Sequence, residues 1–271
     1  MIAIKDMSFR YAGQHRLVFD RFNLQIEENK IYGLLGKNGT GKSTLLYLVA
    51  GLLRPKSGTV CYDGVDTWRR RAETLAEMFL VPEEFDLPPM TLSRYVALNA
   101  PFYPRFSKQR LAACLKDFEL DDDMPLQSLS MGQKKKVFMS FALATNTRLL
   151  MMDEPTNGLD IPSKSQFRRT VAQNMTPDQT VIISTHQVHD VETLLDHILM
   201  LSPRELLLNA SVQEIMERYV FEFRQPGETD GVLYAEPTLQ GNAVMALRQE
   251  GQAETQVNLE LLFNAVANKR L

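Results

Sequence analysis

Nine consecutive residues, Gly36-Lys37-Asn38-Gly39-Thr40-Gly41-Lys42-Ser43-Thr44, follow the spacing G-x-x-x-x-G-K-[ST]. Glycines at such spacing let the backbone curl so that successive N–H groups face phosphate oxygens. A helix starting at Lys42 would add the positive end of its dipole. The Lys42 ammonium adds a full charge. At about 4 Å and an effective dielectric near 20 its pull on one anionic charge is on the order of 4 kcal/mol before desolvation. Ser43 offers a hard oxygen to Mg²⁺. Gly36, Asn38, Gly39, Gly41, Lys42, Ser43 and Thr44 are therefore candidate contacts to nucleotide phosphates.

A second cluster, Asp153-Glu154, ends the apolar run at 149–152. A carboxylate at the tip of a buried strand beside a phosphate loop can hold Mg²⁺ directly or through water, and Asp153 fits that role. Glu154 leaves the strand at a different angle and can polarise an attacking water as a general base.

Such groups need strands to end beside one another. Short β-branched or apolar runs at 3–9, 22–26, 31–35, 59–62, 78–81, 149–152, 181–184 and 197–201 predict strands. Helical patterns occupy 42–53, 92–100, 108–118, 131–144 and 163–174. Their alternation predicts an α/β fold. Strand signals are scarce from about 84 to 145, which reads as a helical insertion punctuated by Pro88-Pro89, Pro101 and Pro104. Beyond about 205, strands at 219–223 and 232–235 and a helix at 258–268 predict a small α/β appendage, residues 206–271, without a chemical motif.

The chain has 271 residues, 44% of them hydrophobic and 23% charged, with a net charge of −3. That composition excludes wholesale disorder and weighs against nucleic-acid binding through bulk positive charge. Its longest uncharged stretches, such as 43–53, fall far short of the roughly 18–20 apolar residues of a membrane span. The first residues lack the pattern of a signal peptide, so a membrane role is expected to run through a partner chain. Cys61 and Cys114 lie in no CxxC pattern and read as reduced thiols of a cytoplasmic protein.

Further motifs give the chain a family resemblance. Leu129-Ser130-Met131-Gly132-Gln133 precedes Asp153-Glu154 and resembles the Leu-Ser-Gly-Gly-Gln signature of the ATP-binding cassette (ABC) ATPases. Gly158-Leu159-Asp160 resembles their D-loop, His186 their switch histidine, and Tyr11 the aromatic that stacks on adenine. The resemblance covers about residues 1–205. It implies a P-loop NTPase core with an antiparallel β subdomain and a helical subdomain at about 84–145.

It also implies an ATPase that takes ATP and Mg²⁺. Ser130, Gly132 and Gln133 would cap the ATP of a second copy, or of a homologous subunit, in a head-to-tail dimer. Asp160 would lie across that interface, and His186 would contact the γ-phosphate. Integral membrane permease subunits would be the other partners, with the chain peripheral on the cytoplasmic face. The late helix around 259–263 and Glu83-Glu84 are similar to the exporter-type branch.

Two positions depart from the pattern. Met131 replaces the first signature glycine, and Glu83 stands where the family usually carries glutamine. Glu83 can still offer oxygen to Mg²⁺ or water, but its charge near phosphate is expected to weaken nucleotide binding and raise the Mg²⁺ requirement.

Lys134-Lys135-Lys136 is expected as a solvated helix face, with Val137, Phe141 and Ala144 buried opposite. Tyr95, Phe102, Tyr103 and Phe106 read either as core packing or, as the resemblance implies, as a cleft for a short helix of a membrane partner. A soluble ABC ATPase acting on a macromolecular assembly is the competing reading. A P-loop kinase or GTPase is disfavoured by the signature helix and by the lack of an Asn-Lys-x-Asp motif.

Overall fold

Strands β1 (Ile2–Phe9) and β2 (Phe19–Ile26) pair antiparallel. β3 (Ile31–Leu35) is buried at every position and runs straight into the glycine-rich loop. Helix α1 (Lys42–Val49) leaves that loop through Gly41, which is left-handed at φ 105°. A Cβ at Gly41 would stand 2.9 Å from both Phe19 and Val18, so conformation and space both demand glycine. β4 (Ser57–Tyr62), β5 (Val65–Asp66), α2 (Ala72–Ala76) and β6 (Met78–Val81) follow. Three helices, α3 (Leu92–Asn99), α4 (Lys108–Asp117) and α5 (Met131–Ala144), then intervene before β7 (Leu149–Asp153). Next come α6 (Ile161–Asn174), β8 (Thr180–Thr185), β9 (His197–Ser202), β10 (Glu205–Ser211) and α7 (Val212–Arg218). The described chain ends with β11 (Tyr219–Arg224), β12 (Val232–Thr238), β13 (Gly241–Leu247) and α8 (Leu259–Ala267). This computed structural model describes residues 1–268; the last positions of the expected appendage, 269–271, lie outside the described residues.

Three sheets result, in the orders β2-β1-β4-β5, β10-β9-β3-β8-β7-β6 and β11-β13-β12. In the central sheet β6, β7, β8, β3 and β9 run parallel. Its strands β3, β7 and β8 are buried throughout, as parallel strands covered on both faces must be. One core, including Ile4, Phe19, Leu46, Leu149 and Ile182, lies toward the first sheet. The other, including Phe141, Phe167, Val181 and Leu262, takes in the helices of the insertion and α8. Parallel register brings Leu35 beside Thr185 and Asp153 beside Ser184, so three strands deliver their C-terminal loops to one edge.

The structure corrects several expectations. The helix predicted over 42–53 stops at Val49, because Gly51 turns left-handed at φ 65°. The strand predicted from 22 starts at Phe19. The boundary expected at 205 falls inside the central sheet, since β10 pairs antiparallel with β9 out to Ser211–His197. Being an edge strand of mostly intermediate burial, β10 shows no clean alternation to read.

Candidate active site

Glu154 is the first residue beyond β7, and its backbone is left-handed at φ 45°. A non-glycine residue there costs on the order of 1–3 kcal/mol and persists only where its surroundings enforce it. The enforcement is visible at both ends of the residue. Its N–H donates to Ser184 O at 3.0 Å, while its carboxylate is gripped by the loop after β8. The Thr185 hydroxyl donates to Glu154 Oε2 at 3.1 Å, and the His186 backbone N–H donates to the same oxygen at 3.3 Å. His186 Nδ1 lies 2.9 Å from Oε1, so the proton of that bond sits on the ring nitrogen. Lys42 Nζ stands 3.4 Å from Oε1 and donates to Gly36 O at 2.9 Å.

Asp153 is buried beneath Glu154, with 1% of its surface exposed. Burial pushes its carboxyl above the usual range, partly offset by the Ser184 hydroxyl and by the nearby Ser43 hydroxyl. Oδ1 accepts from Ser184, but Oδ2 has no hydrogen-bond partner among the described residues. A buried carboxylate oxygen left bare beside a serine hydroxyl is the donor set of a hard divalent cation.

A cavity of about 380 Å³ opens above these groups. Tyr11, Asn38, Gly39, Gly41, Lys42, Ser43, Thr44, Glu83 and Glu154 line it. No side chain caps α1, so its first N–H groups remain available to an anion. The Tyr11 hydroxyl lies 2.9 Å from Thr44 Oγ1, its ring edge packs on Phe9, and 37% of the residue is exposed. Glu83 Oε1 accepts from the Asn157 side-chain amide at 2.8 Å. Gly36 and His186 line an adjoining cavity of about 550 Å³, closed on its far side by Glu260, Phe263 and Asn264 from α8.

Ser130, Gly132, Gln133 and Asp160 line neither of these cavities. Ser130 caps α5 in a capping box: its hydroxyl accepts from the Gln133 N–H, and Gln133 Oε1 accepts from the Ser130 N–H. The Met131 side chain points to solvent, with 58% exposure. Asp160 caps α6, its Oδ1 accepting from the Ser163 N–H at 2.9 Å; the Ser163 hydroxyl, and after it this N–H, hold its carboxyl below the usual range.

The lysine run is not a uniformly solvated face. Lys135 is 6% exposed, and its ammonium donates to Asn157 O at 2.7 Å with Glu154 O at 3.4 Å. Lys136 donates to Gln166 Oε1. Val137, Phe141 and Ala144 are buried as the helical spacing predicts. Of the aromatic group, Tyr95, Tyr103 and Phe106 pack around Phe141, while Phe102 is 69% exposed. Tyr103 and Phe106 also line a groove of about 850 Å³ between α3 and α4, so the same rings serve core and cleft.

Thr185, Ser184, Asn157 and Lys135 are site residues that sequence reasoning missed. Ser184 and Thr185 were within reach, because they stand immediately before His186 at the end of a predicted strand. Nothing local marks Asn157 or Lys135.

A family model described as "ABC transporter" matches residues 19–157. The ABC transporter ATP-binding protein NatA of Bacillus subtilis (strain 168) is 29% identical over 229 residues, 80% of this chain and 92% of that protein. The cobalt import ATP-binding protein CbiO of Salmonella paratyphi A (strain ATCC 9150 / SARB42) is 31% identical over 225 residues, 79% and 82% of the two chains. Among solved structures, a dimeric post-hydrolysis ATP-binding cassette bound to ADP and phosphate superposes with a TM-score of 0.67 at 25% identity. That match covers 78% of this chain and 98% of the cassette.

Proposed function

The chain belongs to the ABC transporter family of ATP-binding subunits, and from that premise we propose how its own residues carry the activity. As such a subunit it binds and hydrolyses ATP to power movement of a substrate through a separate membrane subunit. In our reading the 380 Å³ cavity takes the nucleotide. The phosphates lie on the N–H groups of the glycine loop and on Lys42, and the exposed ring of Tyr11 takes the adenine. Asp153 and Ser43 would hold Mg²⁺, with Glu83 at the rim; the bare Asp153 Oδ2 supports that fit. The ion would neutralise phosphate charge as the γ-phosphoryl group leaves.

Glu154 is the general base. Its carboxylate accepts a proton from water as the water oxygen bonds to the γ-phosphorus and the bond to the β–γ bridging oxygen breaks, releasing ADP and phosphate. Thr185 and His186 hold that carboxylate in place. Ser130 and Gly132 lie outside the chain's own nucleotide cavity, on the exposed N-terminal end of α5. That placement supports a second copy, or a homologous subunit, whose nucleotide they cap. Among the described residues no helix is long and apolar enough to cross a membrane. We place the chain on the cytoplasmic face, with membrane subunits engaging the α3–α4 groove.

The observation that carries this reading is the meeting of Lys42, Asp153, Glu154 and His186 at one sheet edge. Glu154→Gln should lower ATP turnover by about 10²- to 10⁴-fold, the usual worth of a general base, while ATP still binds. Undiminished phosphate release by that variant would contradict the assignment.

A further inference from the structure

The turn that carries Glu154 is held from an unexpected direction. Lys135 lies in the second turn of α5, in the helical insertion, and its side chain reaches across to the chain just after β7. Its ammonium donates to the carbonyl of Asn157 at 2.7 Å and lies 3.4 Å from that of Glu154. The same Asn157 donates its side-chain amide to Glu83, where the chain enters the insertion. Asn157 also closes the turn by donating its N–H to Glu154 O at 3.1 Å.

Burying an ammonium to 6% exposure is expensive unless its donors are used and opposite charge is near. Here the donors go to two main-chain carbonyls, with the carboxylates of Glu83, Glu154 and Asp153 as the surrounding negative charge. A lysine spent in this way fixes backbone, and the backbone it fixes is the left-handed Glu154. Without it the turn keeps its own Asn157-to-Glu154 hydrogen bond but loses the strut that sets it against α5.

We propose that Lys135 is a positioning residue for hydrolysis: it clamps the turn at Glu154 and Asn157 so that the Glu154 carboxylate faces the nucleotide cavity, and it ties that aim to the placement of the helical insertion. The clamp rests on the reading of Glu154 as general base. Lys135 itself does not line the nucleotide cavity; it reaches that cavity only through the main chain of Glu154 and Asn157. Loss of the clamp therefore acts on kcat and spares ATP binding.

The test uses the full chain in two backgrounds, wild type and Glu154→Gln. Lys135→Met keeps the length of the side chain and removes the charge and the donors. In the wild-type background kcat should fall about 10- to 100-fold, the range expected when a catalytic group is misplaced by about an ångström. Binding of the fluorescent analogue mant-ATP should stay within about twofold. In the Glu154→Gln background, the residual single-turnover hydrolysis of radiolabelled ATP should not fall further, because the residue through which Lys135 acts is already disabled. Lys135→Leu, which likewise removes the charge and the donors, is read by the same criteria if the Met variant does not fold. An unchanged kcat, an equal loss in both backgrounds, or a parallel loss of mant-ATP binding overturns the proposal. Wild-type turnover by Glu154→Gln alone brings down the base assignment, and this inference with it.

Discussion

Lys42 Nζ lies 3.4 Å from Glu154 Oε1, in a pair whose side chains are each 6% exposed. The cation meant for phosphate and the carboxylate meant for water hold one another in this structure. On the reading of this site as the nucleotide site, phosphates would draw the ammonium toward themselves and leave Glu154 Oε1 to His186 alone. Lys42→Met removes an attraction on the order of 4 kcal/mol before desolvation, so ATP binding should weaken by about 10²- to 10³-fold. Titration with a fluorescent nucleotide measures it. Near-native affinity in that variant would show that the phosphates do not rest on Lys42.

Glu83 brings a negative charge to the rim of the nucleotide cavity, and its Oε1 is engaged by Asn157. Glutamine can keep that hydrogen bond and drop the charge. Glu83→Gln should lower the Mg²⁺ concentration for half-maximal ATPase activity by about two- to fivefold, because one partly screened charge is worth under about 1 kcal/mol. An unchanged Mg²⁺ dependence would end this account of Glu83.

Asp160 serves as the N-cap of α6 whatever else it does. Asp160→Ala removes the cap and should lower the melting temperature by about 2–4 °C. Asp160→Ser keeps a capping oxygen and should melt close to wild type. If Asp160 also lies against a second subunit, both variants lose turnover. Full activity in the serine variant would leave only the cap.

His189 sits between two carboxylates, with Nε2 2.8 Å from Glu260 on α8 and Nδ1 3.5 Å from Glu192. The Glu260 hydrogen bond, with added attraction from Glu192, raises its pKa above the ordinary 6.5. A pKa raised on folding gives stability that is complete below the unfolded value and fades as pH rises through the folded one. Thermal stability should therefore decline as pH rises above about 6.5 more steeply in wild type than in Glu260→Gln. The ring is 63% exposed, so the contribution stays under about 1 kcal/mol and shrinks in high salt. Parallel pH profiles for the two proteins would contradict the pairing.

The legibility of these features follows the distance over which each is determined. The phosphate cradle is contiguous and its strand and helix adjoin it, so Gly36 to Thr44 could be read directly. Asp153 and His186 stand at the ends of apolar runs, where a buried parallel sheet puts its reactive edge. Lys135 could not be read, because the groups that justify its burial are 19 and 22 residues away and meet it only once α5 docks. Asn157 finds Glu83 at a separation of 74 residues.

Beyond β9 the failures are of a different kind. Helix α7 carries a capping box, Ser211 with Glu214, a signal that is local and legible in the sequence. Strand β13 carries Ala-Val-Met-Ala, whose β signal is weak; it pairs between β11 and β12, and Met245 packs into the core that takes in α8.

The central claim is that each reaction centre is built from two chains, one supplying Lys42, Asp153 and Glu154 and the other Ser130 and Gly132. ATP turnover per chain, measured across a dilution series with the oligomeric state followed by light scattering, tests it most directly. Specific activity should rise with protein concentration as dimers form in the presence of ATP. Constant, full specific activity at concentrations where only monomer is present would contradict it.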